Sequence, residues 1–144
     1  MNKNRLLLHL KKEVYCRLMP SPISGVGVFA IRDIPADADP FPEDEDKEWI
    51  PFKKEELKEI HPSVAQAIKD LCVFSEGVYW VPKIGLHTLD IAQFLNHSDA
   101  PNLVSDKFGE IFVTSRIIKT GEELTIDYRI FDEGVEEKLG QYNQ

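Results

Sequence analysis

Apolar positions in this chain come in short bursts separated by turn residues, not in long periodic stretches. Residues 13–18, EVYCRL, read as a short strand, and residues 25–31, GVGVFAI, as a glycine turn running into a second strand. The stretch DIPADADPFPEDED (33–46) is rich in Pro and Asp and predicts a loop, with a short strand near Phe41. KKEELKEI (53–60) predicts a short helix. A better-patterned helix follows Pro62, where Val64, Ala65, Ile68, Leu71 and Cys72 fall on one face. Pro62 itself sits where a proline is tolerated, near a helix start. GVYWVP (77–82) reads as a strand. In EIFVTSRI (110–117), Ile111, Val113, Ser115 and Ile117 alternate with Phe112, Thr114 and Arg116, which is the period of a strand. KTGE then makes a turn, and ELTIDY (123–128) is the last strand. Strand-rich ends around a helical insert predict a β-rich α+β fold, not a doubly wound sheet.

Size and charge narrow the picture. A chain of 144 residues is most simply one domain, and 42% hydrophobic residues suit a globular fold. No apolar run approaches the roughly 18–20 residues of a membrane span. LLLHL near the start is too short for the core of a secretion signal, and Lys11 and Lys12 follow at once. The expectation is a soluble intracellular protein, cytoplasmic or, in a eukaryote, nuclear. Cys16 and Cys72 are far apart and outside any Cys-x-x-Cys pair, which argues against zinc and against a disulfide framework.

The net charge of −8 disfavours direct nucleic-acid binding, since phosphates would be repelled. Acidic residues concentrate in two places, Asp33 to Glu48 and Asp127 to Glu137. A solvated surface accounts for both. A sharper alternative is an attractor for a basic partner such as a Lys-rich tail.

Three polar stretches each have an ordinary reading when taken singly. GVGVFA (25–30) is a turn before a strand; it lacks the third glycine and the following helix of a dinucleotide-binding loop. Asn96-His97-Ser98 matches a glycosylation sequon without a secretion signal, or a polar turn satisfying backbone groups. A Ser98–His97 nucleophilic pair is disfavoured because chain neighbours rarely point at one another. GEELTIDYR (121–129) is a turn plus an edge strand.

Together, in order and spacing, these stretches resemble the SET-domain family of S-adenosylmethionine-dependent protein lysine methyltransferases. SPISGVGVFAIRDIPADADPF resembles its Gly-x-Gly opening, LDIAQFLNHSDAPN its Asn-His-Ser signature, and GEELTIDY its terminal Asp-Tyr signature. The resemblance spans about residues 13–130, so the whole of 1–144 would be a single SET domain, with a variable helical insert over 41–82 and a tail over 131–144. It implies the β-clip fold, in which the Asn-His-Ser segment and the terminal strand cross as a pseudoknot.

The resemblance also implies roles. Gly25, Val26 and Gly27 would cradle the S-adenosylmethionine, with Asn96 and His97 contacting it and Tyr128 as the catalytic tyrosine. Ile126, two before that tyrosine, and Phe131 would line the substrate channel. Methyl transfer to an amine needs positioning and no nucleophilic side chain. The substrate lysine must be neutral, and a dry channel beside a sulfonium would depress its pKa. The substrate would be a Lys-rich basic protein or peptide, chromatin-type proteins included. The alternative function is a non-catalytic SET-fold module binding a basic partner. Gln93 stands at the family's usual Arg and Asp99 at its usual Cys. No cysteine-rich segment follows Tyr128, so the tail from Arg129 must close the channel unaided or with a partner.

Overall fold

The computed structural model describes residues 1–42 and 47–140. In chain order these form helix α1 (Lys3–Lys12), strands β1 (Cys16–Pro20), β2 (Val26–Ala30) and β3 (Trp49–Lys53), and helix α2 (Pro62–Leu71). Strands β4 (Val73–Ser75), β5 (Val78–Pro82), β6 (Asn96–His97), β7 (Leu103–Ser105), β8 (Phe112–Thr114) and β9 (Glu123–Ile126) follow, and α3 (Val135–Gly140) comes last.

The beginning, middle and end of the chain meet in one sheet of order β1-β2-β9-β6. β1 and β2 form an antiparallel hairpin with Cys16 opposite Ala30 and Pro20 opposite Val26. β9 pairs antiparallel with β2 and parallel with β6. This brings the Asn-His-Ser segment and the terminal strand side by side, as the resemblance implies. Val28, Ile34, Ile118 and Leu124 are fully buried beneath the sheet, packed with Leu95, Leu103, Phe112 and Ile126. A second apolar cluster, Leu57, Ala65, Ile68, Cys72, Tyr79 and Val81, lies between α2 and the sheet β3-β5-β4. The two cysteines are free thiols, one in each cluster. No helix among the described residues is long and apolar enough to cross a membrane.

Several elements differ from expectation. α1 was not signalled by the pattern, because none of its residues is buried and it carries no core-facing stripe. The helix in KKEELKEI is shorter than expected: Lys53 ends β3, and a single 3-10 helix over Glu56–Glu59 follows, with Leu57 its one buried side chain. Phe41 is not in a strand. The Asp39 carboxylate accepts its N–H at 2.8 Å, a turn contact, and its ring packs edge-on against Phe112. In α2, Val64 is exposed while Ala65 and Ile68 are buried, so the apolar face is narrower than its spacing suggests. The strand expected over 110–117 shrinks to Phe112–Thr114; Phe112 and Thr114 point inward, whereas Ile111 and Ile117 are exposed. The last strand stops at Ile126, because Asp127 turns the chain. Its side chain accepts the Arg129 N–H at 2.9 Å and starts a 3-10 turn over Tyr128–Ile130. Tyr128 is therefore not on the strand, and its relation to Ile126 does not come from strand alternation.

Candidate active site

The parallel pairing sets Asn96 beside Thr125 and His97 beside Ile126. The Ser98 N–H extends it, donating to the Ile126 carbonyl at 2.9 Å. Two residues of strand suffice because side chains complete the contact. Asn102 donates to the Glu123 carbonyl and accepts the Thr125 N–H, both at 2.9 Å.

Asn96 is buried, and its amide nitrogen reaches Glu123 Oε2 at 2.9 Å and both Ser21 Oγ and the Ser24 carbonyl at 3.1 Å. The Ser21 hydroxyl donates to the same carboxylate at 2.8 Å. This network pins the loop before β2 to the start of β9. Gly27 belongs to it: a Cβ there would lie 2.3 Å from Glu123 Oε2. The glycine at 27 makes room for a carboxylate of this chain. Gly25 is different, with φ +47 and nothing within 4 Å of the place a Cβ would occupy. Its backbone faces open space.

His97 is also buried. Its Nδ1 accepts the Tyr128 backbone N–H at 3.1 Å, and its Nε2 lies 3.0 Å from Asp99 Oδ1. With Nδ1 accepting, the ring proton sits on Nε2 and points at Asp99. The aspartate in place of the family's usual Cys thus supplies the imidazole's second partner. Asp127, 3.7 Å from Nδ1, is held below the usual carboxyl range by hydrogen bonds from the Arg129 side chain, against a smaller upward push from burial.

Two cavities border this knot. One, of about 250 Å³, is walled by Gly25, Val26 and Asn96. The other, of about 670 Å³, is walled by Ile126 and Phe131, with Trp49 and Trp80 contributed by the sheet β3-β5-β4. Tyr128, Leu95, Gln93, Leu71 and Lys138 border both. The Tyr128 hydroxyl donates to the Leu95 carbonyl at 2.6 Å, so what its oxygen can present to a neighbour is lone pairs. Five carboxylates, Asp39, Glu76, Asp90, Glu110 and Asp132, border the larger cavity. Asp90 pairs with Lys47 at 2.6 Å, and Asp132 pairs with Lys138.

Of the residues singled out from sequence, Gly25, Val26, Asn96, Ile126, Tyr128 and Phe131 border one or both cavities. Gly27 and His97 border neither; they act on the walls from behind. Phe131 is a packed wall, edge-on to Phe112 and Tyr128, and its ring would be struck by any Cβ on Gly109. Glu123, Asn102 and Lys138 were missed. The first two lie inside the matching motifs, where their identity was a usable signal; Lys138 had none. Part of the first acidic run, 43–46, and Tyr142 lie outside the described residues.

The family model for the SET domain matches residues 25–129. The chain belongs to the SET-domain family. No curated protein matches it. Among solved structures it is similar to the crystal structure of a Plasmodium falciparum protein named as a candidate histone methyltransferase. That likeness has 20% identity and a TM-score of 0.49, covering 80% of this chain and 93% of the other.

SET domains are generally protein methyltransferases that use S-adenosylmethionine. The smaller cavity is where this SET domain offers open backbone for such a cofactor to approach. A glycine backbone in the left-handed region opens onto the smaller cavity, with the buried Asn96 amide fixing the loop behind it.

Proposed function

We propose that the protein is a protein-lysine N-methyltransferase that transfers a methyl group from S-adenosylmethionine to the ε-amine of a lysine in a basic protein. One observation supports this reading above others: Tyr128 borders both cavities, with its hydroxyl tied to the Leu95 carbonyl.

In this reading Gly25, Val26 and Asn96 hold the cofactor in the smaller cavity. Bound there, S-adenosylmethionine supplies a methyl group made electrophilic by its sulfonium. The substrate lysine enters the larger cavity, between the apolar walls of Ile126 and Phe131. Tyr128 presents oxygen lone pairs, and the Leu95 carbonyl adds a second acceptor nearby. Such acceptors orient an amine N–H and polarise C–H bonds through weak contacts. The amine must arrive neutral, against a reference pKa of about 10.4. Burial among aromatic and aliphatic walls favours that neutral form.

The lining of the larger cavity favours a cationic substrate. Asp39, Glu76 and Glu110 border it in addition to the two carboxylates already paired with Lys47 and Lys138. A Lys-rich tail, including tails of chromatin type, matches that charge.

The test is incubation with isotopically labelled S-adenosylmethionine and a panel of basic proteins, with products mapped by mass spectrometry. Label on lysine side chains is the expected result. Binding of the cofactor without label transfer to any basic protein would favour the non-catalytic module instead.

A further inference from the structure

The segment from Tyr128 to Lys138 is anchored to the rest of the fold at several points. The Glu133 N–H donates to the Phe74 carbonyl at 2.7 Å, and the Glu133 carboxylate accepts the Glu76 N–H at 2.6 Å. Lys138 of α3 reaches back further. Its ammonium donates to the Cys72 carbonyl at 2.7 Å and pairs with the Asp132 carboxylate. Both side chains are deeply buried, 10% and 3% exposed. Cys72 is the residue on which α2 ends, and the Asp132 N–H donates to the Tyr128 carbonyl at 2.9 Å. Lys138 therefore joins the end of α2, the turn carrying Tyr128, and α3. It borders both cavities, whereas Asp132 and Phe131 border the larger one.

A buried ion pair is a weak device for stability alone. Desolvation offsets much of the attraction, and an apolar pair of similar volume often holds as well. What a charged pair adds is direction: an ammonium with two fixed acceptors accepts few other placements. We propose that Lys138 is a positioning residue, a clamp that holds the segment from Tyr128 to α3 against α2 and β4 and so makes it the shared closing wall of both cavities. The functional half of this statement rests on the reading of the cavities as cofactor and substrate sites; the tether itself does not.

The variant Lys138→Met keeps the apolar stem and removes the charge. Three measurements separate the outcomes: hydrogen exchange by mass spectrometry, S-adenosylhomocysteine affinity by calorimetry, and methylation kinetics on a Lys-rich peptide. Amides of residues 131–140 and of Glu76 should exchange roughly tenfold faster or more, with β2 and β9 unchanged. The affinity for S-adenosylhomocysteine and the KM for the peptide should both worsen by about fivefold or more, beyond the change in kcat. Lys138→Arg, which keeps the charge, should recover much of each. Unchanged exchange would overturn the clamp. Faster exchange with unchanged affinity and KM would overturn its positioning role. If the wild type does not bind S-adenosylhomocysteine, the functional reading fails while the exchange arm still decides the tether. Should Lys138→Met not fold, Asp132→Asn, which keeps the shape and removes the partner charge, carries the same measurements.

Discussion

The Nδ1 atom of His97 accepts the backbone N–H of Tyr128 at 3.1 Å. The Asn-His-Ser segment therefore does more than pair with β9: a side chain from one motif holds the backbone of the other at the point where the strand ends. The rings of the two residues also pack, with centroids 5.4 Å apart.

His97→Ala leaves that N–H, already half-buried, without its acceptor. The expected loss is about 1–3 kcal/mol of stability, with turnover falling because Tyr128 is no longer fixed. His97→Asn places a carbonyl oxygen near the position of Nδ1 and should recover part of both. Denaturant melts and steady-state kinetics on the two variants check this. Equal losses in both would mean that ring packing, not the hydrogen bond, is what His97 contributes.

The two glycines of the opening motif should behave in opposite ways. Gly27→Ala drives a Cβ into Glu123, which also holds Ser21 and Asn96, so it should cost about 2–3 kcal/mol. Gly25→Ala meets open space and pays only for its left-handed backbone, about 1–2 kcal/mol. Its methyl group enters the smaller cavity's border, however. In calorimetry Gly25→Ala should lose more affinity for S-adenosylhomocysteine per unit of lost stability. A reversed order would detach Gly25 from the proposed cofactor site.

Much of this was legible because the motifs are local. Gly25 and the hairpin of β1 and β2 follow from a glycine beside short apolar runs, and the family resemblance places Asn96 and Tyr128. Other parts have no local signature. β6 is two residues long, and its pairing partner is remote in sequence, so periodicity cannot reveal it. Lys138 meets Cys72 and Asp132 through a buried contact between distant segments, and in the sequence it is one more charge in a charged tail. α1 has apolar residues but buries none, so its pattern carries no core-facing phase. The end of β9 was misread because Asp127 acts on the backbone through its side chain, which overrides the alternation of ELTIDY.

Asp127 gives a pH dependence with a definite sign. Its carboxyl is held below the ordinary value, first by the Arg129 side chain. The unfolded chain therefore binds the proton more readily than the folded one. The stabilisation is complete above the unfolded value of about 3.9 and is lost as pH falls through the lower folded value. Arg129→Met removes the main cause of the shift. The melting-temperature gap between wild type and Arg129→Met should hold steady from about pH 7 to about pH 5 and narrow below about pH 4. A gap that stays constant to low pH would show that Arg129 acts through packing and not through Asp127.

Tyr128→Phe separates the hydroxyl from the ring. The ring keeps its contacts with His97 and Phe131, and the loss of the bond to the Leu95 carbonyl should cost about 1 kcal/mol. Turnover should fall by roughly 10²-fold or more, because in the proposed reading the oxygen acts at the reacting centre. Affinity for S-adenosylhomocysteine should barely change. Near-normal turnover in this variant would remove Tyr128 from the chemistry.

The number of methyl groups added should depend on Ile126. In the family, the position two before the tyrosine often carries Phe or Tyr, and a Tyr there can anchor a water beside the amine and block further transfer. Ile126 has no hydroxyl. It is buried at 3% exposure and borders the larger cavity together with Tyr128, although the two are not on one strand face. Among the described residues Tyr128 is the one tyrosine on that border; Tyr79 is buried in the second apolar cluster. With the substrate lysine in the larger cavity, as proposed, an apolar wall at this point would leave a methylated amine free to turn for another transfer. The expected products therefore extend beyond monomethyl-lysine. Ile126→Tyr should shift them toward the monomethyl form, at some cost in stability from overpacking, about 1–3 kcal/mol. A mass-spectrometric time course with enzyme in excess decides the matter. A wild type that stops at one methyl group would show that Ile126 does not set the limit.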